Sequence, residues 1–127
     1  MTGHGRLLGL VAVIEAATGF ALLAQPSVVV DLLFGAEPAG AGVVASRVAG
    51  ASLVALGVAC WPATTVKQGL RGMLVYSLLV TIYFALLGIE GTWVGTLLWP
   101  AVAAHAVLTV FLARAWFSTG FTAERHP

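Results

Sequence analysis

Glu15 is a carboxylate inside a stretch, Leu7–Ala24 (LLGLVAVIEAATGFALLA), in which Thr18 is the only other polar side chain. An ionised carboxylate in the middle of a bilayer costs roughly 2.5–3.5 kcal/mol, so it should face the protein interior and find a partner there. The sequence offers two, Arg47 and His105, each embedded in its own apolar run. A pair with Arg47 would neutralise both charges. A bond to His105 would leave one proton shared between carboxylate and imidazole in a low-dielectric site, where the two groups titrate together. Thr18 lies on the same face as Glu15, Ser77 precedes Thr81 by one helical turn, and Thr109 follows His105 by one turn. These hydroxyls, with Tyr83, complete a candidate ligand or proton site of Glu15, Arg47, His105, Thr81, Tyr83 and Thr18. Tyr76 and Tyr83, seven residues apart, read first as packing residues with satisfied hydroxyls.

The elements that position these residues follow from composition. The chain of 127 residues is 60% apolar and 9% charged, whereas a soluble domain carries about a quarter charged residues. It is built for lipid, with a single domain's worth of chain. A hydrocarbon core about 30 Å thick needs roughly 17–25 apolar helical residues. Four stretches qualify: 7–24, 41–61, 72–89 and 93–113. The fold class is therefore all-α, an integral membrane four-helix bundle. The first stretch reads as a span and not a cleaved leader, because Leu22-Leu23-Ala24 is a poor small-x-small cleavage site.

At 1.5 Å of rise per residue, Glu15 lies about 12 Å deep, eight residues from the inner end of its span. His105 lies eight residues from Ala113, also about 12 Å deep, and Thr81 roughly 13 Å, nine residues from Gly72. Arg47 enters from the opposite side, six residues into the second span and about 9 Å below that surface. Separate helices thus bring ionisable groups to one layer.

Basic residues set the orientation. Arg6 precedes the first span, Lys67 and Arg71 occupy the second connection, and Arg114 and Arg125 flank the C-terminal end. The first connection carries Asp31 and Glu37, and the third carries Glu90, with no Lys or Arg in either. Short loops rich in Lys and Arg stay cytoplasmic, which predicts a multi-pass protein of the cytoplasmic (inner) membrane with both termini inside. Trp61 and Trp116 then fall at the inner interface and Trp93 at the outer one. Within the first connection, VVVDLLF reads as a short interfacial helix capped by Ser27 and stopped by Gly35. The tail after Phe117 is polar and should fray.

Helices in lipid associate where small residues let backbones approach. The second span is rich in them, with Ser46, Gly50 and Gly57 along one face, and reads as the central helix, its small face used within the chain in preference to a dimer contact. Pro100, inside the fourth span, should free the Thr96 carbonyl and kink the helix.

Several chemistries are excluded. Six basic residues scattered through a chain of net charge +1 leave no nucleic-acid footprint. One cysteine, Cys60, allows no disulfide within the chain. Bis-histidine haem ligation fails because His4 and His126 lie in the polar termini. No HExxH, GxSxG, Walker or GxGxxG context exists. The reading leans against an enzyme and needs no cofactor of the chain's own; a bound lipid or quinone is the small molecule it admits.

The segments SRVAGASLVALGV, QPSVVVDLLFGAEP and WPAVAAHAVLTVFLA resemble the DoxX-like group of small four-helix bacterial membrane proteins. The shared features are an Arg early in the second helix followed by Gly, here Arg47 and Gly50, and a P…LLFG segment, here Pro26 and Leu32–Gly35. That resemblance implies a membrane subunit, associated in some members with quinone-linked oxidation of sulfur compounds, and carries no catalytic residue over. In features alone the chain is also similar to the small multidrug-resistance transporters, whose single first-helix Glu corresponds to Glu15. The long first connection, Arg47 and His105 depart from that pattern.

Three functions are open at this point. One is an accessory or assembly subunit, or a lipid- or quinone-contacting protein, whose Glu–Arg–His layer holds the helices in register. Another is a proton-coupled exporter of hydrophobic cations through Glu15. The third is a pocket for an apolar molecule such as a quinone or a sterol-like ligand, capped by His105 and Tyr83. The partners expected are the lipid bilayer and a homo-oligomer or larger membrane complex.

Overall fold

The computed structural model of the chain describes residues 3–62 and 65–121. Five helices follow in order: α1 Gly3–Ala24, α2 Pro26–Phe34, α3 Ala41–Ala59, α4 Val66–Glu90 and α5 Leu98–Phe121. Four of them, all but α2, are long and apolar enough to cross a membrane, and the described residues include no strand. Arg125 lies outside the described residues, and α5 continues through the start of the polar tail to Phe121.

Local chemistry sets the boundaries. Pro26 opens α2, where its fixed φ suits the first helical position and its missing N–H costs nothing. The Ser27 cap expected there does not form: Ser27 sits inside the helix and Gln25 is the capping residue, without a side-chain bond. Gly35 does end α2, in the left-handed conformation (φ 71°), with its N–H on Asp31 O at 2.7 Å. The third connection is longer than expected, running from Gly91 to Leu97. Its Gly95 and Leu97 N–H groups donate to the Leu33 and Leu32 carbonyls at 2.9 and 2.8 Å. They thereby satisfy acceptors that the end of α2 leaves free. A side chain at Gly95 would run into the Leu32 carbonyl, so the strap can lie this close only with glycine there. Because α5 starts at Leu98, Pro100 falls in its first turn and not within the span. Its missing donor is one the helix would not have used, and the expected kink has no cause.

The second spanning helix is not the central one. That place belongs to α1, which packs on α3, α4, α2 and α5, whereas α3 packs on α1 and α2 and makes no substantial contact with α4 or α5. Of the α1 span 39% is buried, against 17% for α3. The small face of α3 is spent inside the chain, against α1. A Cβ at Gly50 would stand 2.7 Å from Gly19 O, and one at Gly57 would stand 2.7 Å from Ala12 O. Glycines on both helices allow backbone to touch backbone.

The start of α1 and the end of α5 share one end of the bundle, where Ser118 Oγ lies 3.0 Å from His4 Nε2. The main core is at this end, built from Leu8, Val11 and Ala12 of α1, Leu70 and Met73 of α4, Leu112 and Ala115 of α5, and Cys60. Towards the α2 end, where α3 and α4 do not close on one another, cavities open. Large apolar side chains such as Leu10, Phe20, Val58, Leu79 and Val110 are exposed around the outside, as a lipid-facing surface requires.

Candidate functional site

Glu15 lies where the packed half of the bundle gives way to the open half. It projects from α1 one turn beyond Val11 and Ala12 and is 3% exposed. His105 of α5 meets it, Nε2 to Oε1 at 3.6 Å. The imidazole is oriented by its own helix, since Nδ1 lies 2.9 Å from Ala101 O, the carbonyl one turn back. An Nδ1–H donated to that carbonyl leaves Nε2 turned to the carboxylate. At that distance Nε2 makes no hydrogen bond, and it has no other hydrogen-bond partner among the described residues, so carboxylate and imidazole meet as buried polar neighbours.

Tyr76 of α4 is the third member. Its ring meets the His105 ring edge-on, centroids 6.1 Å apart, and Phe84 approaches the same imidazole at 6.3 Å. Beside it in sequence, Ser77 is wholly buried and its Oγ has no hydrogen-bond partner among the described residues.

Tyr76 also faces outward from this cluster, into the gap between α3 and α4. A cavity of about 360 Å³ opens there, walled by Ala49 and Leu53 of α3, Leu22 of α1 and Phe84 of α4. Val30, Leu33 and Phe34 of α2 close it at one end. Ser46 and Ser52 line it too, yet their hydroxyls bond back to Gly42 O and Val48 O, so the wall they offer is effectively apolar. Its volume lies within the usual range for small-ligand pockets, roughly 300–1,000 Å³. Tyr76 is thus at once a wall of an apolar cavity and a neighbour of the imidazole that meets the buried carboxylate.

Of the six residues expected at the site, Glu15 and His105 come together. Arg47 does not join them; it is exposed, lines no part of the α3–α4 cavity and has no ion pair among the described residues. Thr18 is exposed and donates to Ile14 O, and Thr81 donates to Ser77 O. Tyr83 is exposed and lines a different cavity, at the α2 end. From the sequence Tyr76 reads as a packing residue with a satisfied hydroxyl and not as a member of the site, and a span begun at Gly72 places it shallower than Glu15. With α4 starting at Val66, Tyr76 lies ten residues into its helix and near the level of Glu15, twelve residues into α1. No group of three or more His, Cys, Asp or Glu side chains among the described residues could hold a metal ion.

No protein-family model, no curated protein sequence and no solved structure matches the chain.

Proposed function

We propose that this is a multi-pass membrane protein that binds a lipid-soluble molecule in the cavity between α3 and α4, with Tyr76 reading its one polar head. The observation that carries this reading is the double position of Tyr76, on the wall of that cavity and against His105, the imidazole that meets Glu15. The ligand class is an apolar body, acyl, prenyl or polycyclic, bearing a hydroxyl or carbonyl. Its oxygen would meet the phenol, whose hydroxyl can donate or accept as the head requires. Export of a hydrophobic cation by Glu15 is less favoured, because the carboxylate lines none of the cavities described above. The same proposal places the basic end of the bundle, with Arg6, Lys67, Arg71 and Arg114, in the cytoplasm, and lays α2 along the outer interface of the cytoplasmic membrane.

The test is what the protein retains on purification. Full-length chain extracted in a neutral detergent should carry a defined apolar molecule, identified by mass spectrometry of an organic extract. Leu53→Trp, which fills the cavity, should abolish retention, and Tyr76→Phe should weaken it by up to about tenfold, one lost hydrogen bond. A protein that purifies empty, or folded variants that retain the same molecule at the same level, would overturn the reading.

A further inference from the structure

A second cavity, about 390 Å³, opens at the α2 end on the other side of Phe34 and Val30. Three aromatic side chains reach it from three separate elements: Phe34 from α2, Tyr83 from α4 and Trp93 from the 91–97 strap. Glu37 supplies a single carboxylate, and no Lys or Arg lines the space. The segments around it, residues 25–40 and 91–97, contain no basic residue, and the charges nearest in sequence are Asp31 and Glu90. Glu37 forms no ion pair among the described residues.

The walls are held in place. Hydrogen bonds from Gly95 and Leu97 tie the strap that carries Trp93 to the end of α2, and Phe34 is fixed edge-on against Phe84, centroids 5.6 Å apart at 89°. A ligand would meet a shaped site and would not have to order one.

We infer that this cavity, with Phe34, Tyr83, Trp93 and Glu37 around it, binds an organic ammonium group. The alternatives fit the chemistry less well. A hard metal ion needs several oxygen ligands, and one carboxylate among rings does not supply them. Glu37 is exposed at the mouth of the space, and a neutral apolar ligand would leave its charge unanswered. A quaternary or alkylated ammonium satisfies both kinds of wall, since its charge meets the carboxylate and its methyl or methylene surface lies on the aromatic faces. That head could belong to a free cation or to a lipid. The site is separate from the α3–α4 cavity and stands or falls independently of it.

The experiment measures binding to the full chain in a neutral maltoside detergent by isothermal titration. The probes are choline, its uncharged isostere 3,3-dimethylbutan-1-ol, and a short-chain phosphatidylcholine. An ammonium probe should bind at least about tenfold more tightly than the neutral isostere, and Glu37→Gln and Trp93→Leu should each weaken it by about tenfold or more. Binding of choline itself identifies a free cation as sufficient, and binding of the phosphatidylcholine alone identifies a lipid head; either supports the inference. Leu53→Trp should leave this affinity unchanged, which separates failure here from failure of the α3–α4 site. Equal binding of choline and its neutral isostere, full affinity in folded Glu37→Gln, or no saturable binding of either ammonium probe would overturn it.

Discussion

His105 Nε2 lies 3.6 Å from Glu15 Oε1, on helices that meet otherwise at few points. That separation is longer than a made hydrogen bond and shorter than the reach of a water between them. The two groups are therefore electrostatic neighbours in a medium of low dielectric, where removing one leaves the other desolvated and unanswered.

A double-mutant cycle measures this coupling. Glu15→Leu strands the imidazole, and His105→Leu strands the carboxyl. Each should cost roughly 1–3 kcal/mol of unfolding free energy, whereas the double variant, with both polar groups gone, should cost less than the sum. Reversible unfolding in mixed detergent micelles gives the four values. A coupling below about 0.5 kcal/mol would mean that the two side chains are neighbours without consequence.

The interface of α1 and α3 makes a second prediction, in opposite directions at two glycines of one helix. A Cβ at Gly50 would meet Gly19 O at 2.7 Å and Leu22 Cβ at 2.9 Å. Because one of these is backbone, relief requires the helices to move apart, and Gly50→Ala should destabilise by roughly 1–3 kcal/mol. At Gly42 the same atom would find only Pro38 Cβ at 3.4 Å. Gly42→Ala should then be neutral or stabilising by up to about 1 kcal/mol, the helix-propensity gain. Parallel unfolding curves decide it; equal effects at the two sites would contradict the packing described.

These comparisons show what the sequence could and could not convey. Counting residues along a helix fixes depth, and depth paired Glu15 with His105. Azimuth is not in that count, so Arg47, whose long side chain could reach the layer from the opposite side, still faces elsewhere. Small residues mark where backbones can approach but not how many neighbours a helix has. The face of Ser46, Gly50 and Gly57 was legible, while its partner α1, with Gly19 and Ala12 opposite, was the better candidate for the centre. The cavities were invisible for a related reason. One exists because α3 and α4 fail to meet, the other because α2, α4 and the 91–97 strap leave a space between them, and a missing contact leaves no trace in composition.

Pro100 tests where α5 begins. As the third residue of the helix it forfeits no intrahelical bond. Pro100→Ala should change stability by less than about 1 kcal/mol. A proline introduced at Ala106, two turns further along, should cost about 3 kcal/mol or more, because there the ring meets a carbonyl and a donor is lost. If Pro100→Ala shifts the unfolding free energy as much as Ala106→Pro does, the helix starts earlier than Leu98.

Ser77 isolates the worth of a single hydroxyl. Thr18, Ser46, Ser52, Thr81 and Thr109 all donate to the carbonyl four residues back, the self-sufficient arrangement that lets a hydroxyl sit in an apolar helix. Ser77 does not, although it is completely buried, one residue from Tyr76. An unpartnered buried hydroxyl carries a desolvation cost of about 1–3 kcal/mol, which Ser77→Ala would remove at the loss of one small atom's packing. The variant should therefore unfold at equal or higher denaturant, while Thr81→Val, which loses a satisfied bond, should be neutral or slightly destabilising. Read together by unfolding in detergent, the two separate a tolerated cost from a working contact. A clear loss of stability in Ser77→Ala, with Thr81→Val unaffected, would mean that the Ser77 hydroxyl does find a partner in the folded membrane protein.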